Sequence, residues 1–421
     1  MGLGWLISYL LIKEPHKKRG TPLFRAIVWQ CRRTADICNQ LKKRGKEKIF
    51  RKKTGLLLDP YFSGTKLKWY FDHHPDLHKK ALKGEVSFGT IDSFLVSKLT
   101  HNAVHVTDPS NASRTLLMNL ETLAWDRELL DILNIPHQIL PKIKSSSEIY
   151  GKTKNVPGLP DGIPICGIAG DQQAALFGQA CFNVGEAKCT YGTGSFLLLN
   201  TGPKIIRSKA NLLTTVAWKL KNKTTYALEG SAFIAGAAVQ WLRDGLNLIQ
   251  NSSDIEALAK TVSSSQGVVF VPALTGLGAP YWDTQARGLI CGLTRGTTAG
   301  HLARATLEGI AFQNYELLLA MQKDLKKKLS SLKVDGGASV NALLMQFQAD
   351  LLQTRVIRPK FVETTALGAA CLAGLAIGFW EDLSSLKKAW KKDQEFYPKM
   401  SSQERKEHLL NWKGAIQKCL T

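Results

Sequence analysis

The stretch GIPICGIAGDQQAALFGQ, residues 162–179, joins a short apolar strand directly to a helix. The apolar run Ile163–Ala169 predicts the strand, and Gly170 and Asp171 open the helix. An aspartate at such a junction most often caps the helix. It also stands at the carboxyl end of a strand, where ligands bind in α/β folds, and it could accept a proton from a substrate hydroxyl during phosphoryl transfer. This stretch alone leaves both interpretations open.

Short strands alternate with helices on both sides of this stretch, and the alternation predicts an α/β fold. The chain of 421 residues is long enough for two domains, with a boundary expected between residues 176 and 187. Strands are predicted at Ala26–Trp29, Ile163–Ala169, Thr225–Glu229, Val268–Pro272 and Leu332–Val334, and a hairpin at 187–200. Helices are predicted at Phe88–Leu99, Met118–Leu133, through Trp241 and Leu242, from Thr297 or Thr298 to Leu325, and at Asn341–Leu352.

A glycine-bracketed turn lies between the two arms of the predicted hairpin, in TYGTGSF at 190–196. Seen alone, the pattern is typical of an ordinary hairpin turn. Its glycines would also let backbone N–H groups converge on a phosphate oxygen, with the Thr193 hydroxyl as a further donor. A phosphate-binding turn is therefore the functional alternative.

A second glycine pair stands between a strand and a helix in VDGGASVN at 334–341, which is a natural position for an anion or a nucleotide. It matches neither the Walker A pattern nor the dinucleotide fingerprint. The loop GLGAPYWD at 276–283 is rich in turn residues, and its aromatic side chains could equally be core. In chain order, the strand-end acid and the two glycine turns are typical of two lobes that close on a nucleotide.

The chain carries a net charge of +22, which raises the alternative of a nucleic-acid-binding module. Such a protein would concentrate its basic residues on one face with aromatic residues between them. Here the basic residues form short scattered runs, as solvated helix faces and turns do. The runs are Lys42 to Arg44, Arg51 to Lys53, Lys326 to Lys328, and Lys387, Lys388, Lys391 and Lys392.

Eight cysteines give no zinc pattern, because no Cys-x-x-Cys pair occurs. Cys166 lies in an apolar stretch and is expected to be buried. The protein is expected to occupy a reducing, cytoplasmic compartment. His73, His74 and His78 are expected to be solvated rather than to bind a metal. The apolar run Leu3–Ile12 is too short to span a bilayer and lacks the preceding positive residue of a signal peptide.

With these motifs the chain resembles the glycerol kinases, within the FGGY family of carbohydrate kinases. The resemblance begins near residue 20, leaves 1–20 unmatched, and continues to the carboxyl end. The tyrosine of DPYFSGTK and the phrase GDQQAALFG favour glycerol over other polyols. The matching stretches are AIVWQCRRTADIC (26–38), TGLLLDPYFSGTKLKW (54–69), HVTDPSNASRT (105–115), GIAGDQQAALFGQ (167–179), TYGTGSFLLLNTG (190–202), TGLGAPYWDTQARGLICGLTRG (275–296) and VDGGASVNALLMQFQADLL (334–352).

The resemblance implies two actin-like, ribonuclease-H-like domains around a nucleotide cleft. The glycerol-binding domain would occupy residues 21–179 and be incomplete, and the nucleotide-binding domain would occupy 180–421. The chain would bind glycerol, ATP and Mg²⁺. It would bind neither nucleic acid nor a membrane, and it could assemble as a homo-oligomer.

Carried over residue by residue, the resemblance makes Asp171 the general base on the terminal hydroxyl of glycerol, with Gln172 beside it. Tyr61 would bond a hydroxyl, and Phe196 would pack against the carbon backbone. No residue is assigned to metal binding. The nucleotide site would be lined by Thr193, Gly194, Gly236, Gln240, Gly337 and Asn341.

Two strings that glycerol kinases carry do not occur in this sequence: Asp-x-Gly-Thr-Thr/Ser, which meets the ATP phosphates and the metal, and Asn-Gln-Arg-Glu-Thr, which binds glycerol hydroxyls. Losing these contacts implies a cost of roughly 6 kcal/mol or more, so that this chain would turn over slowly or not at all. A late start codon or an upstream frameshift would explain residues 1–16. An impaired nucleotide-binding fragment is therefore the alternative to an active kinase. Residues 152–161 do not match the loop that binds fructose 1,6-bisphosphate in some relatives, so that regulation is not expected.

Overall fold

The computed structural model describes residues 9–12, 20–283 and 285–420. The unmatched segment 1–20 and the apolar run 3–12 therefore lie largely outside the described residues. No helix in the described ranges has the length and apolar character needed to cross a membrane.

The described residues up to 179 form short strands and short helices. The strands are β1 (Tyr9–Ile12), β2 (Val86–Gly89), β3 (Val106–Thr107), β4 (Met118–Asn119), β5 (Ala124–Trp125), β6 (Lys142–Ile143), β7 (Ser147–Lys152) and β8 (Pro164–Gly167). The helices are α1 (Ala35–Lys43), α2 (Glu47–Thr54), α3 (Ser63–His73), α4 (Pro75–Leu82), α5 (Ile91–Leu99), α6 (Pro109–Ala112), α7 (Arg127–Leu133) and α8 (Asp171–Gly178).

The residues after 179 form longer elements. The strands are β9 (Ala187–Tyr191), β10 (Ser195–Gly202), β11 (Leu213–Leu220), β12 (Lys223–Ala232), β13 (Val269–Val271), β14 (Leu289–Cys291), β15 (Leu332–Asp335), β16 (Val356–Pro359) and β17 (Lys392–Phe396). The helices are α9 (Gly236–Asp244), α10 (Ile255–Ala259), α11 (Ala299–Leu325), α12 (Ala342–Leu352), α13 (Thr364–Ala376), α14 (Leu383–Ala389) and α15 (Ser402–Cys419).

A mixed seven-stranded sheet organises the second half of the chain, in the order β11-β12-β10-β9-β15-β16-β17. The three inner strands β9, β15 and β16 run parallel, and the pairs toward both edges are antiparallel. Because side chains alternate across a strand, the two faces of the sheet pack into different hydrophobic cores. In β10, Leu197 and Leu199 join the large core with α11 and α12, whereas Leu198 packs on the opposite face with α8 and α13.

Helices α8 and α13 lie against each other with almost no side chain between their backbones. An added Cβ at Gly368 of α13 would overlap the carbonyl oxygen of Ala174, and one at Gly178 of α8 would overlap that of Thr364. Only glycine therefore permits this approach. The contact brings the start of α8 against the large sheet.

The first half of the chain has its own apolar core around Phe50, Phe62, Leu67 and Leu129. Its described strands pair only two by two: β1 with β2, β3 with β6, β4 with β5, and β7 with β8. The architecture on this side therefore depends on helix packing more than on a continuous sheet.

Most sequence-based elements are confirmed, including the strand before Gly170, the hairpin β9–β10, and the helices that begin after Thr298 and Asn341. Three are wrong. Ala26–Trp29 forms no strand; only Ile27 makes an isolated β-bridge, and Trp29 begins a turn. The segment predicted as helix Phe88–Leu99 starts as strand β2, and α5 begins only after Thr90.

The third error is Met118–Leu133, whose apolar spacing predicted one helix. It contains the small hairpin β4–β5, and α7 begins only at Arg127. The Asp126 side chain accepts the N–H of Leu129 and caps α7, and Leu123 has a positive φ of 54°. A capped start and a left-handed residue interrupt the helix that hydrophobic spacing alone suggested.

Candidate active site

Asp171 is the first residue of α8, and Gly170 occupies the cap position before it. The Asp171 carboxylate accepts a hydrogen bond from the backbone N–H of Gln172. Its Oδ2 atom also accepts a hydrogen bond of 2.7 Å from the Nε2 atom of Gln172. Because Gly170 occupies the cap position, the interpretation of Asp171 as the N-cap residue is wrong.

Burial raises the pKa of the Asp171 carboxyl, while the Gln172 hydrogen bond and the positive charge of Lys188 act in the opposite direction. A raised pKa strengthens the carboxylate as a proton acceptor. The position and electrostatics of Asp171 are thus those of a candidate general base.

A cavity of about 660 Å³ lies beside Asp171 and is lined in part by Gln172, Tyr61 and Arg114. Burial raises the pKa of the Tyr61 hydroxyl, so that this group stays protonated and can donate a hydrogen bond at neutral pH. Three of the four substrate residues expected from sequence therefore share one cavity.

Phe196, the fourth, is not among the lining residues and connects to the others through Trp29. The Trp29 ring lies edge-on to both, with its centroid 5.5 Å from that of Tyr61 and 6.2 Å from that of Phe196. The sequence pattern predicted that Trp29 lies in a buried strand and did not indicate that it is a site residue. The one sequence feature that could have indicated this role is the position of Trp29 within 26–38, a segment that matches the family that the chain resembles.

Next to Tyr61, a buried ion pair links Arg114 in the first half of the chain to Glu229 in the second half. Arg114 Nη2 donates to Glu229 Oε1 over 2.6 Å, and both side chains are at least 95% buried. The guanidinium carbon lies 5.6 Å from the Tyr61 ring centre and 5.4 Å from that of Phe62. Arg114 therefore forms part of the cavity lining and packs against the Tyr61 ring.

A second cavity, of about 380 Å³, opens at the end of the large sheet. The turn between β9 and β10 contributes Thr193, whose backbone oxygen accepts the N–H groups of Ala235 and Ala237 near the start of α9. Gly194 does not line the cavity. The residues expected from sequence that do are Thr193, Gly236, Gln240, Gly337 and Asn341.

Gly336 at the edge of this cavity has a φ of 84° and a ψ of 168°, a conformation that is almost restricted to glycine. An added Cβ would lie 2.6 Å from the backbone oxygen of Tyr191. Gly337 has no neighbour within 4 Å of an added Cβ, since it faces the cavity.

We expect Gly336→Ala to lower the free energy of unfolding by about 1–3 kcal/mol, because alanine is strained in this conformation. Equilibrium denaturation in urea measures the change. Gly337→Ala is the matched control for stability and should stay within about 0.5 kcal/mol of the wild type. Equal stability of Gly336→Ala and the wild type would contradict the strain argument.

The described residues contain no group of three or more histidine, cysteine or acidic side chains that could hold a metal by themselves. Mg²⁺ in nucleotide sites usually needs only one or two carboxylates together with phosphate oxygens and water. The donor set is therefore compatible with a metal that is bound chiefly through a nucleotide.

Comparisons with known proteins match both halves of the chain. Family models of the FGGY carbohydrate kinases match residues 15–178 (N-terminal domain) and 187–377 (C-terminal domain). The glycerol kinase of Bdellovibrio bacteriovorus is 60% identical over 402 residues, which are 95% of this chain and 81% of that protein. Glycerol kinase 2 of Thermotoga maritima is 56% identical over 405 residues, or 96% and 81%.

Solved structures give the same match. A Plasmodium falciparum glycerol kinase with ADP has a TM-score of 0.92 at 38% identity and covers 99% of this chain and 83% of that one. A ligand-bound xylulose kinase from Lactobacillus acidophilus has a TM-score of 0.85 at 26% identity and covers 98% and 81%. In both sequence and fold, the chain is thus more similar to the Plasmodium falciparum glycerol kinase than to the Lactobacillus acidophilus xylulose kinase.

Proposed function

Because the chain belongs to the FGGY family of carbohydrate kinases, we propose that it transfers the γ-phosphoryl group of ATP to glycerol and forms sn-glycerol 3-phosphate. The fold is the two-domain, actin-like (ribonuclease-H-like) α/β fold of that family. The relatives named glycerol kinase, at 56–60% identity over nearly the whole chain, support glycerol as the substrate. The structural observation that carries the proposal is the buried carboxylate of Asp171 beside the larger cavity.

In this function, Asp171 accepts the proton of the terminal hydroxyl as that oxygen bonds to the γ-phosphorus of ATP. The bond from this phosphorus to the bridging oxygen breaks, and ADP leaves with that oxygen. The protonated Tyr61 hydroxyl donates to a substrate oxygen, and Gln172 holds the carboxylate. The rings of Phe196 and Trp29 face the C–H groups of the triol. Each side chain thus meets the part of a small polyol that suits its chemistry.

The cavity at the sheet end holds the nucleotide. Glycines at 236 and 337 allow close backbone approach to phosphates, and the Thr193 hydroxyl and Gln240 and Asn341 amides add polar contacts. Mg²⁺ would be held chiefly by the phosphates of ATP and would neutralise part of their charge. We assign glycerol binding to the domain 21–179 and nucleotide binding to 180–421. Eight cysteines without a disulfide in the described chain support a reducing, cytoplasmic compartment.

The test is release of ADP in the presence of glycerol, measured with enzyme in excess over ATP. Excess enzyme is needed because the strings named above are absent from these 421 residues, and turnover well below an ordinary ~10 s⁻¹ is expected. Glycerol should stimulate ADP release, and xylulose should do so far less. The rate should fall as the pH falls through the raised pKa of Asp171, because the protonated carboxyl cannot accept a proton.

Binding of ADP without any glycerol-dependent release would instead identify an impaired nucleotide-binding fragment. Salt-sensitive binding of DNA or RNA in place of ADP would favour the nucleic-acid alternative. Equal stimulation by glycerol and xylulose would leave a kinase but remove glycerol as its specific substrate.

A further inference from the structure

Lys188 is a fully buried lysine in the middle of β9. Its neighbours Ala187 and Cys189 point into the large core, so its own side chain points to the opposite face of the sheet, where α8 lies. Burying an ammonium group is costly unless its donors are all satisfied. Such a residue inside an apolar strand needs an explanation beyond packing.

The Lys188 ammonium group has three hydrogen-bond partners around the start of α8. It donates to the Oε1 atom of Gln172, to the Thr190 hydroxyl at 2.8 Å, and to the backbone oxygen of Phe196 at 3.3 Å. An ammonium group has three N–H donors and no acceptor. All three donors are therefore used, and two of the partners belong to residues of the proposed substrate site.

These contacts determine which way the Gln172 amide points. Lys188 can only donate, so it must meet the amide oxygen. The amide nitrogen then faces the other way and donates to Asp171 Oδ2 over 2.7 Å. The amide thereby holds Oδ2 of Asp171, and the backbone N–H of Gln172 also donates to the carboxylate.

We propose that Lys188 is a positioning residue for phosphoryl transfer, which locks the Gln172 amide so that Asp171 directs its second carboxylate oxygen to the substrate hydroxyl. The proposal rests on the proposed function. It makes the sheet of the nucleotide-binding domain set the orientation of the base in the other domain. No proton moves through Lys188, and its effect on the reaction is exerted through Gln172.

The charged groups around Asp171 and Lys188 determine how removal of Lys188 should change the pKa of Asp171. Asp171 is faced by Lys188 from β9 and Glu229 from β12, and Tyr61 is close enough to interact with Arg114, Glu229 and Asp171. Lys188 is faced by Asp171, by Asp335 from β15, and by Glu229. Removing the ammonium group leaves Asp171 without the cation that faces it, so the pKa of Asp171 should rise further.

Lys333 provides a matched control, since it is the neighbour of Lys188 in register on the adjacent parallel strand β15. It is also buried and also reaches α8, but at the opposite end, where it donates to the backbone oxygens of Gln179 and Ala180 at 2.5 and 3.2 Å. Lys188→Met and Lys333→Met thus remove the same group from one face of one sheet. Only the first removal touches Gln172.

The experiment measures the pKa of Asp171 by NMR titration of protein labelled with ¹³C at the aspartate carboxyl, with Asp171→Asn identifying the signal. We expect Lys188→Met to raise this pKa by about 1 unit or more and Lys333→Met to leave it unchanged. In the glycerol-dependent assay, Lys188→Met should lower kcat about 10- to 100-fold with a smaller change in KM. Lys188→Arg should recover part of the rate.

An unchanged Asp171 pKa in Lys188→Met, or an equal shift in Lys333→Met, would overturn the proposal. So would a Gln172→Met variant with normal kcat, because the effect must pass through that amide. The NMR titration needs no turnover, so it decides the role of Lys188 even if the wild type shows no glycerol-dependent ADP release. That last result would instead refute the proposed function.

Discussion

Replacing Asp171 with asparagine is expected to lower kcat for glycerol phosphorylation by about 10²- to 10⁴-fold, the usual contribution of a general base. Asparagine keeps the size of the side chain and an oxygen that can accept from Gln172 Nε2, but it cannot take a proton. The affinity for ADP should stay unchanged, because the nucleotide cavity does not include residue 171. Single-turnover ADP release and ADP titration measure the two effects.

Stability provides the control for this variant. Burial raises the pKa of Asp171 above its unfolded value, so the ionised carboxylate opposes folding once the pH exceeds the unfolded pKa. A neutral amide removes that penalty, and the melting temperature of Asp171→Asn at pH 7 should equal or exceed that of the wild type. A variant that folds and keeps more than a tenth of the wild-type rate would remove Asp171 as the base.

Arg114→Met should have the largest effect on stability, with a loss of about 3–5 kcal/mol in the free energy of unfolding. The substitution leaves the Glu229 carboxylate buried without its partner. The Glu229 side chain is only 1% exposed, so water cannot replace the lost hydrogen bond. Equilibrium unfolding in urea, followed by fluorescence, measures the loss.

The double variant Arg114→Met/Glu229→Met separates the pair from its parts. Because it removes both charges, it should recover most of the stability lost by Arg114→Met alone. Lys79→Met is the control for an ordinary ion pair, since Lys79 and Asp76 are mostly exposed, and it should cost less than about 1 kcal/mol. A loss below 1 kcal/mol for Arg114→Met would show that water reaches Glu229.

Local signals in the sequence predicted much of the fold. The Gly-Thr-Gly turn predicted the β9–β10 hairpin, and the caps Thr298 and Asn341 marked the starts of α11 and α12. Each of these features acts within a few residues, so one short segment contains all of the information. The α/β class follows from their alternation.

Contacts between distant segments could not be predicted in this way. Arg114 and Glu229 are 115 positions apart, and nothing near either residue identifies the other as its partner. The same holds for Trp29, whose role appears only when Tyr61 and Phe196 lie on either side of it. The assignment of Asp171 came from a family pattern, and its catalytic role remains a prediction that the asparagine variant tests.

The glycine contact between α8 and α13 limits how the enzyme can open. Gly178 and Gly368 bring the two backbones so close that neither helix can move nearer, and sliding along the axis would drive side chains into the opposing carbonyls. A motion that separated the two lobes would therefore have to be a rotation about this contact rather than a slide along it. Asp171 lies on α8 three residues before Ala174, whose carbonyl oxygen meets Gly368, so such a rotation would displace the proposed base less than the outer parts of the cleft.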